Sequence, residues 1–416
     1  MDAVSCNKPG CFFIDGPGGT GKTFLYRALL AKIRSEGHVA LATATSGIAT
    51  SLLLGGRTAH SRFKVPLDAA EGFVCKVSKQ SSLAVLIRIC KLIIWDEAPV
   101  AKKSAIESLD SLLRDIMDCS TTFGGKVVVL GGDFRQTLPV VRLGSKTQTI
   151  SACLTNSYLW QSLTHLQLTE NMRALLDPFF SSFLLALGNG IGTHTDDAVV
   201  SLPSSMLIQG CNDVNGLEAL MKYVYPNIFV TPATFSPTCN RVVLTTKNTF
   251  VDEINDTLIY KLPGEEIEYF SLDETIDPND QAQYEDLLHS LTPNEISYGE
   301  FAGKEVLLHR IPLQPPTGEQ YTVPFKRFQF PIRLCFAMTI NKAQGQTLDY
   351  VGIYLKEPVF SHGQLDFTTC SSAVDVAVDL CNYKMHGISL LFNEKGCNLL
   401  TWYRNHTPLE QYSIRK

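Results

Sequence analysis

The sequence lacks the features that would place the protein in a membrane or in a secretory pathway. The longest apolar runs, in residues 83–89 and 92–95, are interrupted by Arg88, Cys90 and Lys91, so none approaches the length of a membrane span. The first five residues contain neither the basic nor the apolar segment of a secretory signal. We therefore expect an intracellular protein that has no membrane partner.

The sequence also lacks a zinc or disulfide pattern and a basic excess. Its twelve cysteines include no C-x-x-C pair, which favours reduced, buried thiols over a metal site. The net charge of −5 argues against a broadly basic nucleic-acid-binding surface, although it leaves a local groove for a single strand possible. The 416 residues, 45% of them hydrophobic and 19% charged, predict a globular chain of two or three domains.

The strongest feature that is present is a phosphate-binding loop near the N-terminus. Residues 16–23 have the spacing G-x-x-x-x-G-K-[ST], after the apolar residues 11–14 and before a helix predicted over residues 24–35. The glycines allow consecutive backbone N–H groups to face phosphate oxygens, and the helix adds its positive end. The alternative is a glycine-rich turn without a ligand. The residues expected to hold ATP and Mg²⁺ are Gly16, Gly18, Gly19, Thr20, Gly21, Lys22 and Thr23.

Two adjacent carboxylates follow the apolar segment 92–95. Ligands bind at the carboxyl ends of strands in parallel sheets, so Asp96 is placed to hold Mg²⁺, together with Thr23. Glu97, one residue further on, is placed to act as the general base that activates water. The alternative is that both are solvated charges at a strand end. A further strand over residues 127–130 leads to Gln136, which we expect to sense the γ-phosphate or to orient water.

Apolar segments alternate with helical patterns throughout residues 11–175, and the alternation resumes after residue 241. This order predicts an α/β fold, a P-loop NTPase with parallel sheets covered on both faces. Residues 57–63 mix hydroxyl, basic and aromatic side chains, which suits phosphate contacts and base stacking, or equally an ordinary polar loop.

The order of these motifs resembles the PIF (petite integration frequency) group of superfamily-one DNA helicases, including its plant and transposon-borne branch. The resemblance rests on six ordered blocks between residues 10 and 364. They are the P-loop, residues 46–49 with 56–61, Trp95-Asp96-Glu97-Ala98-Pro99, Gly132-Asp133-Phe134-Arg135-Gln136, Asn171-Met172-Arg173, and residues 339–347.

The resemblance implies two RecA-like domains, with ATP between them, that move 5′-to-3′ along single-stranded DNA. It implies that Gln136 couples the nucleotide to the domain interface and that Arg173 is one of two arginine fingers. It implies DNA contacts on both domains, by Ser46, Gly47, Thr58, His60, Lys342 and Gln344. Residues 1–175 would be the first RecA-like domain and residues 176–365 the second.

The sequence departs from this family in three places. No glutamine precedes Gln80, so the upstream glutamine that reads adenine is absent. Phe301 runs directly into Ala302, where the family has a longer segment, and the second domain is therefore expected to be incomplete. Ser371 stands where the family has its second arginine finger, and the tail of residues 366–416 resembles nothing in the family.

These observations leave two functional hypotheses. The first is an ATP-dependent DNA helicase that acts in DNA repair, recombination, or telomere or transposon maintenance. The second is a catalytically impaired remnant that binds ATP and single-stranded DNA; a P-loop kinase or GTPase does not account for residues 132–136 or 339–347. We expect a monomer in the nucleus, with the mitochondrion as the alternative.

The divergent tail and the shortened segment at Phe301 and Ala302 lead to an expectation about stability. A parallel sheet that lacks a strand exposes an unpaired edge. We therefore expect local opening to cost less in residues 200–416 than in residues 11–175, and the tail to lie outside the core of the second domain.

Overall fold

The computed structural model describes most of the first domain and parts of the remainder. The described residues are 2–6, 8–66, 72–73, 75, 77–141, 144–189, 199–200, 202–208, 216–226, 241–261, 272–275, 310–313, 325–330, 335–357, 372, 376–379, 388–389, 401–404 and 412–415.

A six-stranded sheet forms the centre of the first domain. Its strands are β1 Gly10–Asp15, β2 Val39–Ala44, β3 Arg57–Thr58, β4 Cys90–Asp96, β5 Val127–Gly132 and β6 Thr164–Gln167. They lie in the order β3-β2-β4-β5-β1-β6, and every neighbouring pair is parallel. The carboxyl ends of all six strands therefore meet at one edge of the sheet.

Helices cover both faces of this sheet. They are α1 Asp2–Ser5, α2 Lys22–Ser35, α3 Gly47–Ser51, α4 Ala59–Phe63, α5 Ser82–Ile89, α6 Lys103–Met117 and α7 Lys146–Ser151. Short 3₁₀ turns occupy Ala98–Val100, Thr122–Gly125, Leu154–Asn156 and Trp160–Ser162.

Successive residues of a strand point to opposite faces of its sheet. Phe13 packs into one core with Trp95, whereas Ile14 packs into the core on the other face with Tyr26. This alternation is what a parallel sheet buried on both faces requires.

The second domain contains a smaller parallel sheet. Its strands are β8 Arg241–Thr245, β12 Ala337–Thr339, β13 Tyr350–Tyr354 and β14 Val376–Asp379, in the order β12-β8-β13-β14. The helices of this domain that the structure describes are α8 Pro178–Asn189, α9 Gly216–Val224, α10 Asn248–Lys261 and α11 Ile340–Ala343, with a 3₁₀ turn at Ser204–Met206.

Three smaller sheets complete the described strands. β9 Leu272–Thr275, β10 Ile311–Leu313 and β11 Phe325–Gln329 form an antiparallel sheet in the order β10-β11-β9. β7 Val199–Val200 pairs with β15 Ile388–Ser389, and β16 Thr401–Arg404 pairs with β17 Tyr412–Arg415. Within the described residues, no helix is both long and apolar enough to span a membrane.

The predicted fold class is confirmed, since two parallel-sheet α/β domains are present. The strands predicted at residues 11–14, 92–95 and 127–130 and the helix predicted at residues 24–35 occur within two residues of their expected limits.

The expectation that the tail lies outside the second-domain core is wrong. β14 pairs with β13 along its whole length, and Val376, Ala377 and Val378 are each at most 3% exposed. Ser372 also donates from Oγ to Asp177 Oδ2 at 2.7 Å, just before α8. The apolar Val-Ala-Val sequence provides the strand at this edge of the sheet. The junction of Phe301 with Ala302, residues 362–365 and Ser371 lie outside the described residues.

Shortening a β14 side chain should therefore destabilise the second domain. Val378→Ala removes buried volume from the core and is expected to cost roughly 2 kcal/mol of its unfolding free energy. Amide hydrogen exchange in β13 and β8 would measure the loss. Val140→Ala, at a valine that is 66% exposed, is the matched control. Unchanged exchange in Val378→Ala would place β14 outside the cooperative core.

Candidate nucleotide-binding site

A cleft of about 300 Å³ lies at the carboxyl ends of the first-domain strands and continues onto the second domain. The P-loop after β1, Asp96 and Glu97 at the end of β4, and Gln136 after β5 line its first-domain wall. The second-domain wall consists of Leu244, Ile340 and residues 343–347. The structure therefore brings residues from seven separate segments of the sequence to one cavity.

The P-loop curls as its glycines predict. Gly19 and Gly21 both have φ of 85°, in the left-handed region, and α2 begins directly after Gly21 at Lys22. A side chain on Gly16 would lie 2.6 Å from Thr20 Oγ1, which itself donates to the Pro17 carbonyl at 2.8 Å. Gly18 and Thr23 line the cleft with this loop.

The P-loop is joined to the segment that leads into the second domain. The Gly19 carbonyl accepts hydrogen bonds from the backbone N–H groups of Met172 at 3.0 Å and Arg173 at 3.3 Å. Asn171 Oδ1 accepts from the N–H groups of Arg173 and Ala174, both at 3.1 Å. A Cβ on Gly19 would collide with the Asn171 side chain, so only glycine fits at this contact.

This turn places Arg173 in the lining of the cleft. Its Nη2 donates to Thr347 Oγ1 of the second domain at 2.9 Å. The guanidinium thus spans the two walls of the cleft. Arg173 therefore lies at the domain interface, where it could contact a phosphate group when the two walls move closer together.

Lys22 and Asp96 are buried opposite charges. Lys22 Nζ donates to the carbonyls of Gly16 at 2.5 Å and Pro17 at 3.2 Å. Burial raises the pKa of the Asp96 carboxyl, while the Lys22 ammonium and the Glu97 backbone N–H, 2.9 Å from Oδ1, oppose that rise. The Asp96 carboxylate and the Thr23 hydroxyl are hard oxygen donors, which fit a Mg²⁺ ion.

Glu97 has a strained backbone. Its φ of 54° and ψ of 37° lie in the left-handed region, which non-glycine residues rarely adopt. Thr45 fixes this conformation because its Oγ1 donates to the Glu97 carbonyl at 2.6 Å and its N–H to the Asp96 carbonyl at 3.1 Å. The Trp95 indole in turn donates to Thr45 Oγ1 at 3.0 Å. The strain turns the Glu97 side chain towards the cleft.

Gln136 is 5% exposed and lines the cleft. Among the described residues, its buried Oε1 has no hydrogen-bond partner, which is unfavourable unless a ligand or water provides a donor. The neighbouring Arg135 contacts protein groups instead: Nη1 lies 2.9 Å from Asp133 Oδ1, and Nε donates to Asn189 Oδ1 at 2.8 Å.

The residues predicted to contact DNA divide into two groups. Ser46 and Thr58 cap α3 and α4 through their hydroxyls, Gly47 is exposed, and His60 Nδ1 lies 3.0 Å from the Val65 carbonyl. Ser46 and Gly47 follow β2, Thr58 is the last residue of β3, and His60 comes shortly after it, so all four lie near the carboxyl ends of these strands. Lys342 lies in α11, whereas Gln344 lines the nucleotide cleft. Their DNA contacts stay predictions.

Sequence reasoning missed Phe24 and Arg27. Phe24 follows Thr23, lines the cleft and is 79% exposed, which is unusual for so large an apolar side chain. Arg27 lies one helical turn further on and donates from Nε to the Leu52 carbonyl at 2.7 Å. The sequence feature that could have revealed them is the aromatic Phe24 directly after the phosphate loop, on the outward side of α2.

A P-loop domain that faces a second parallel-sheet domain across this cleft defines a P-loop NTPase with two RecA-like domains. Residues 1–198 match the family model of the PIF1-like helicases. Over this part of its length, the chain is similar to the PIF1-like helicases.

Similar proteins include two ATP-dependent DNA helicases. The chain is 25% identical over 391 residues to PIF1 of Danio rerio, covering 85% of this chain but 55% of that protein. It is 24% identical over 444 residues to Pif1 of Campylobacter jejuni, covering 96% of this chain and 95% of that protein. The chain thus spans about half the length of the first relative and nearly all of the second.

Solved structures share the fold. The crystal structure of Pif1 helicase from Candida albicans aligns with a TM-score of 0.63 at 20% identity, covering 91% of this chain and 92% of that one. A Bacteroides Pif1 helicase in complex with ADP-AlF₃ and single-stranded DNA aligns with a TM-score of 0.62 at 21% identity, covering 91% and 90%. These likenesses confirm the predicted two-domain α/β fold.

The strain at Glu97 predicts an unusual glycine effect. Since glycine adopts the left-handed conformation freely, Glu97→Gly should be more stable than Glu97→Ala by roughly 0.5–1 kcal/mol. Urea unfolding monitored in the first domain would compare the two variants. The same pair at Ser111, in the middle of α6, should show the opposite order, by about 1 kcal/mol. An alanine variant as stable as glycine at position 97 would contradict a strained backbone.

Proposed function

We propose that this protein is an ATP-dependent DNA helicase that couples ATP hydrolysis to 5′-to-3′ movement along single-stranded DNA. The observation that carries the proposal is the convergence of Lys22, Asp96, Glu97, Gln136 and Arg173 on one cleft between two domains. The names of the related proteins and the PIF1-like match over residues 1–198 support it. On sequence features, we place the chain in the plant and transposon-borne branch of the family.

The P-loop would bind the triphosphate through its backbone N–H groups and the Lys22 ammonium. Thr23 and Asp96 would hold Mg²⁺, which neutralises the phosphates when it is bound. Burial raises the pKa of the Asp96 carboxyl, and the positive charge of Lys22 opposes this rise, as a bound metal ion would. Phe24 offers an exposed aromatic face at the rim of the cleft for the nucleobase.

Glu97 would accept a proton from the attacking water, and Gln136 Oε1 would orient that water by accepting a hydrogen bond. Arg173 would stabilise the charge that develops on the transferred phosphoryl group. An arginine in this role contributes about 10³–10⁵ in rate. Its contact with Thr347 ties its position to the second domain, so closure of the cleft would place it for catalysis.

Single-stranded DNA is the proposed partner of a monomeric protein, bound by Ser46, Gly47, Thr58 and His60 of the first domain and Lys342 of the second. We propose a nuclear location, with the mitochondrion as the alternative.

The second candidate is an impaired remnant that binds ATP and single-stranded DNA without unwinding. The observation that favours it is Ser371, which occupies the position where the family resemblance implies an arginine. Loss of such an arginine would lower turnover without removing the nucleotide contacts on the first domain.

Two substitutions separate binding from hydrolysis. Lys22→Ala should weaken binding of a fluorescent ATP analogue by roughly 10- to 100-fold, because a buried charged donor to phosphate is lost. Glu97→Gln should keep this affinity and lower kcat by about 10²–10⁴. Lys32→Ala, at an exposed lysine of the same helix, is the control. Unchanged affinity in Lys22→Ala would remove the P-loop from the mechanism.

DNA should stimulate hydrolysis in a strand-dependent way. We expect single-stranded DNA to raise kcat more than blunt duplex does, and binding to weaken steeply with salt because phosphate contacts release counterions. A fork with a 5′ single-stranded tail should be unwound and one with a 3′ tail should not. Stimulated hydrolysis without unwinding would favour the remnant. Preference for blunt duplex at physiological salt would contradict both candidates.

A further inference from the structure

A side-chain hydrogen bond joins the two walls of the cleft. Thr137 Oγ1 of the first domain donates to Gln344 Oε1 of the second domain at 2.5 Å. Thr137 directly follows Gln136 and is 4% exposed. Gln344 is the C-cap residue directly after α11, and the chain turns at the next residue, Gly345, whose φ is 82°. The bond is therefore held on both sides by fixed backbone.

This bond determines which end of the Gln344 carboxamide faces the cleft. Because the Thr137 hydroxyl donates to Oε1, the amide nitrogen points away from Thr137. Within the described residues, Gln344 Nε2 is buried and has no acceptor. A buried N–H donor is unfavourable when it lacks an acceptor, so a bound group in the cleft is expected to supply one.

The chemistry of the cleft indicates what that acceptor is. Gln344 and its neighbours line the same cavity as Lys22 and Thr23, whose N–H, ammonium and hydroxyl groups suit phosphate. An amide N–H in this place complements an anionic oxygen, whereas a flipped carboxamide would direct its own oxygen at the anion. Gln344 reaches the cavity from the wall opposite the P-loop.

We propose that Gln344 Nε2 binds the terminal phosphate of a nucleoside triphosphate, and that Thr137 is a positioning residue that keeps the carboxamide in this orientation. The proposal rests on the proposed function, since it concerns the same nucleotide site. It assigns to Gln344 a role on the nucleotide rather than on DNA. ADP lacks the terminal phosphate, so this contact distinguishes the triphosphate from the diphosphate.

The test is the affinity of the full chain for a non-hydrolysable ATP analogue and for ADP, both with Mg²⁺. Gln344→Ala should weaken binding of the analogue about tenfold or more and leave ADP affinity within about twofold. Gln344→Glu should have a larger effect of the same kind, because a carboxylate repels phosphate. Thr137→Val should reproduce the loss in part, and Thr137→Ser, which keeps the hydroxyl, should restore wild-type affinity.

Two control variants test whether a loss of affinity is specific to the Thr137–Gln344 pair. Gln161→Ala and Thr164→Val change exposed residues of the first domain and should affect neither ligand. Equal loss of analogue and ADP affinity in Gln344→Ala, or a loss confined to single-stranded DNA, would overturn the inference while Lys22→Ala still supports the nucleotide site. Failure of the unchanged chain to bind either nucleotide would overturn the proposed function and the inference together.

Discussion

The two hydrogen bonds that the Gly19 carbonyl accepts from residues 172 and 173 are the constraint on which the rest of the site depends. They fasten the P-loop to the chain segment that leaves the first sheet and enters α8. A P-loop needs its glycines for phosphate, but Gly19 also needs its hydrogen at Cα, because Asn171 occupies the space of a side chain. The conformation of the loop and the position of Arg173 are thus set by one contact. Any movement of the second domain transmitted through residues 171–178 reaches the phosphate site directly.

The cleft concentrates groups that lower stability when no nucleotide is bound. Asp96 is a buried carboxyl whose pKa is raised by burial, Glu97 has a strained backbone, and Gln136 and Gln344 carry buried polar atoms that have no partner among the described residues. A core built for stability alone would replace such groups with apolar ones. A nucleotide and its metal ion would supply the missing partners at once. Binding would therefore stabilise the first domain and draw the second domain onto it, which is the coupling that a motor requires.

The parts of the fold that follow from the sequence are those determined by local chain properties. The P-loop glycines, the apolar segment before Asp96 and the two-sided burial of β1 and β4 all result from backbone freedom and side-chain periodicity. The family resemblance implies a DNA contact for Gln344, and nothing in the sequence indicated that it also lines the nucleotide cleft, where it accepts a hydrogen bond from Thr137. Phe24 was likewise missed as a cleft residue. Their roles depend on contacts between segments distant in sequence, which a linear pattern does not reveal.

A segment can depart from a family pattern and still form part of the fold, as the strand β14 shows. Residues after 365 depart from the family pattern, but β14 completes the parallel sheet and buries the edge of β13. Ser372 also bonds to Asp177, whose other carboxylate oxygen accepts from the N–H of Phe180 at the start of α8. At its far end, α8 holds Asn189 against Arg135 beside the nucleotide cleft. The divergent segment therefore supports the helix that joins both domains at the cleft. In this segment Ser371 stands where the family resemblance implies a second arginine, whereas β14 extends the parallel sheet that carries Leu244 to the opposite wall of the cleft.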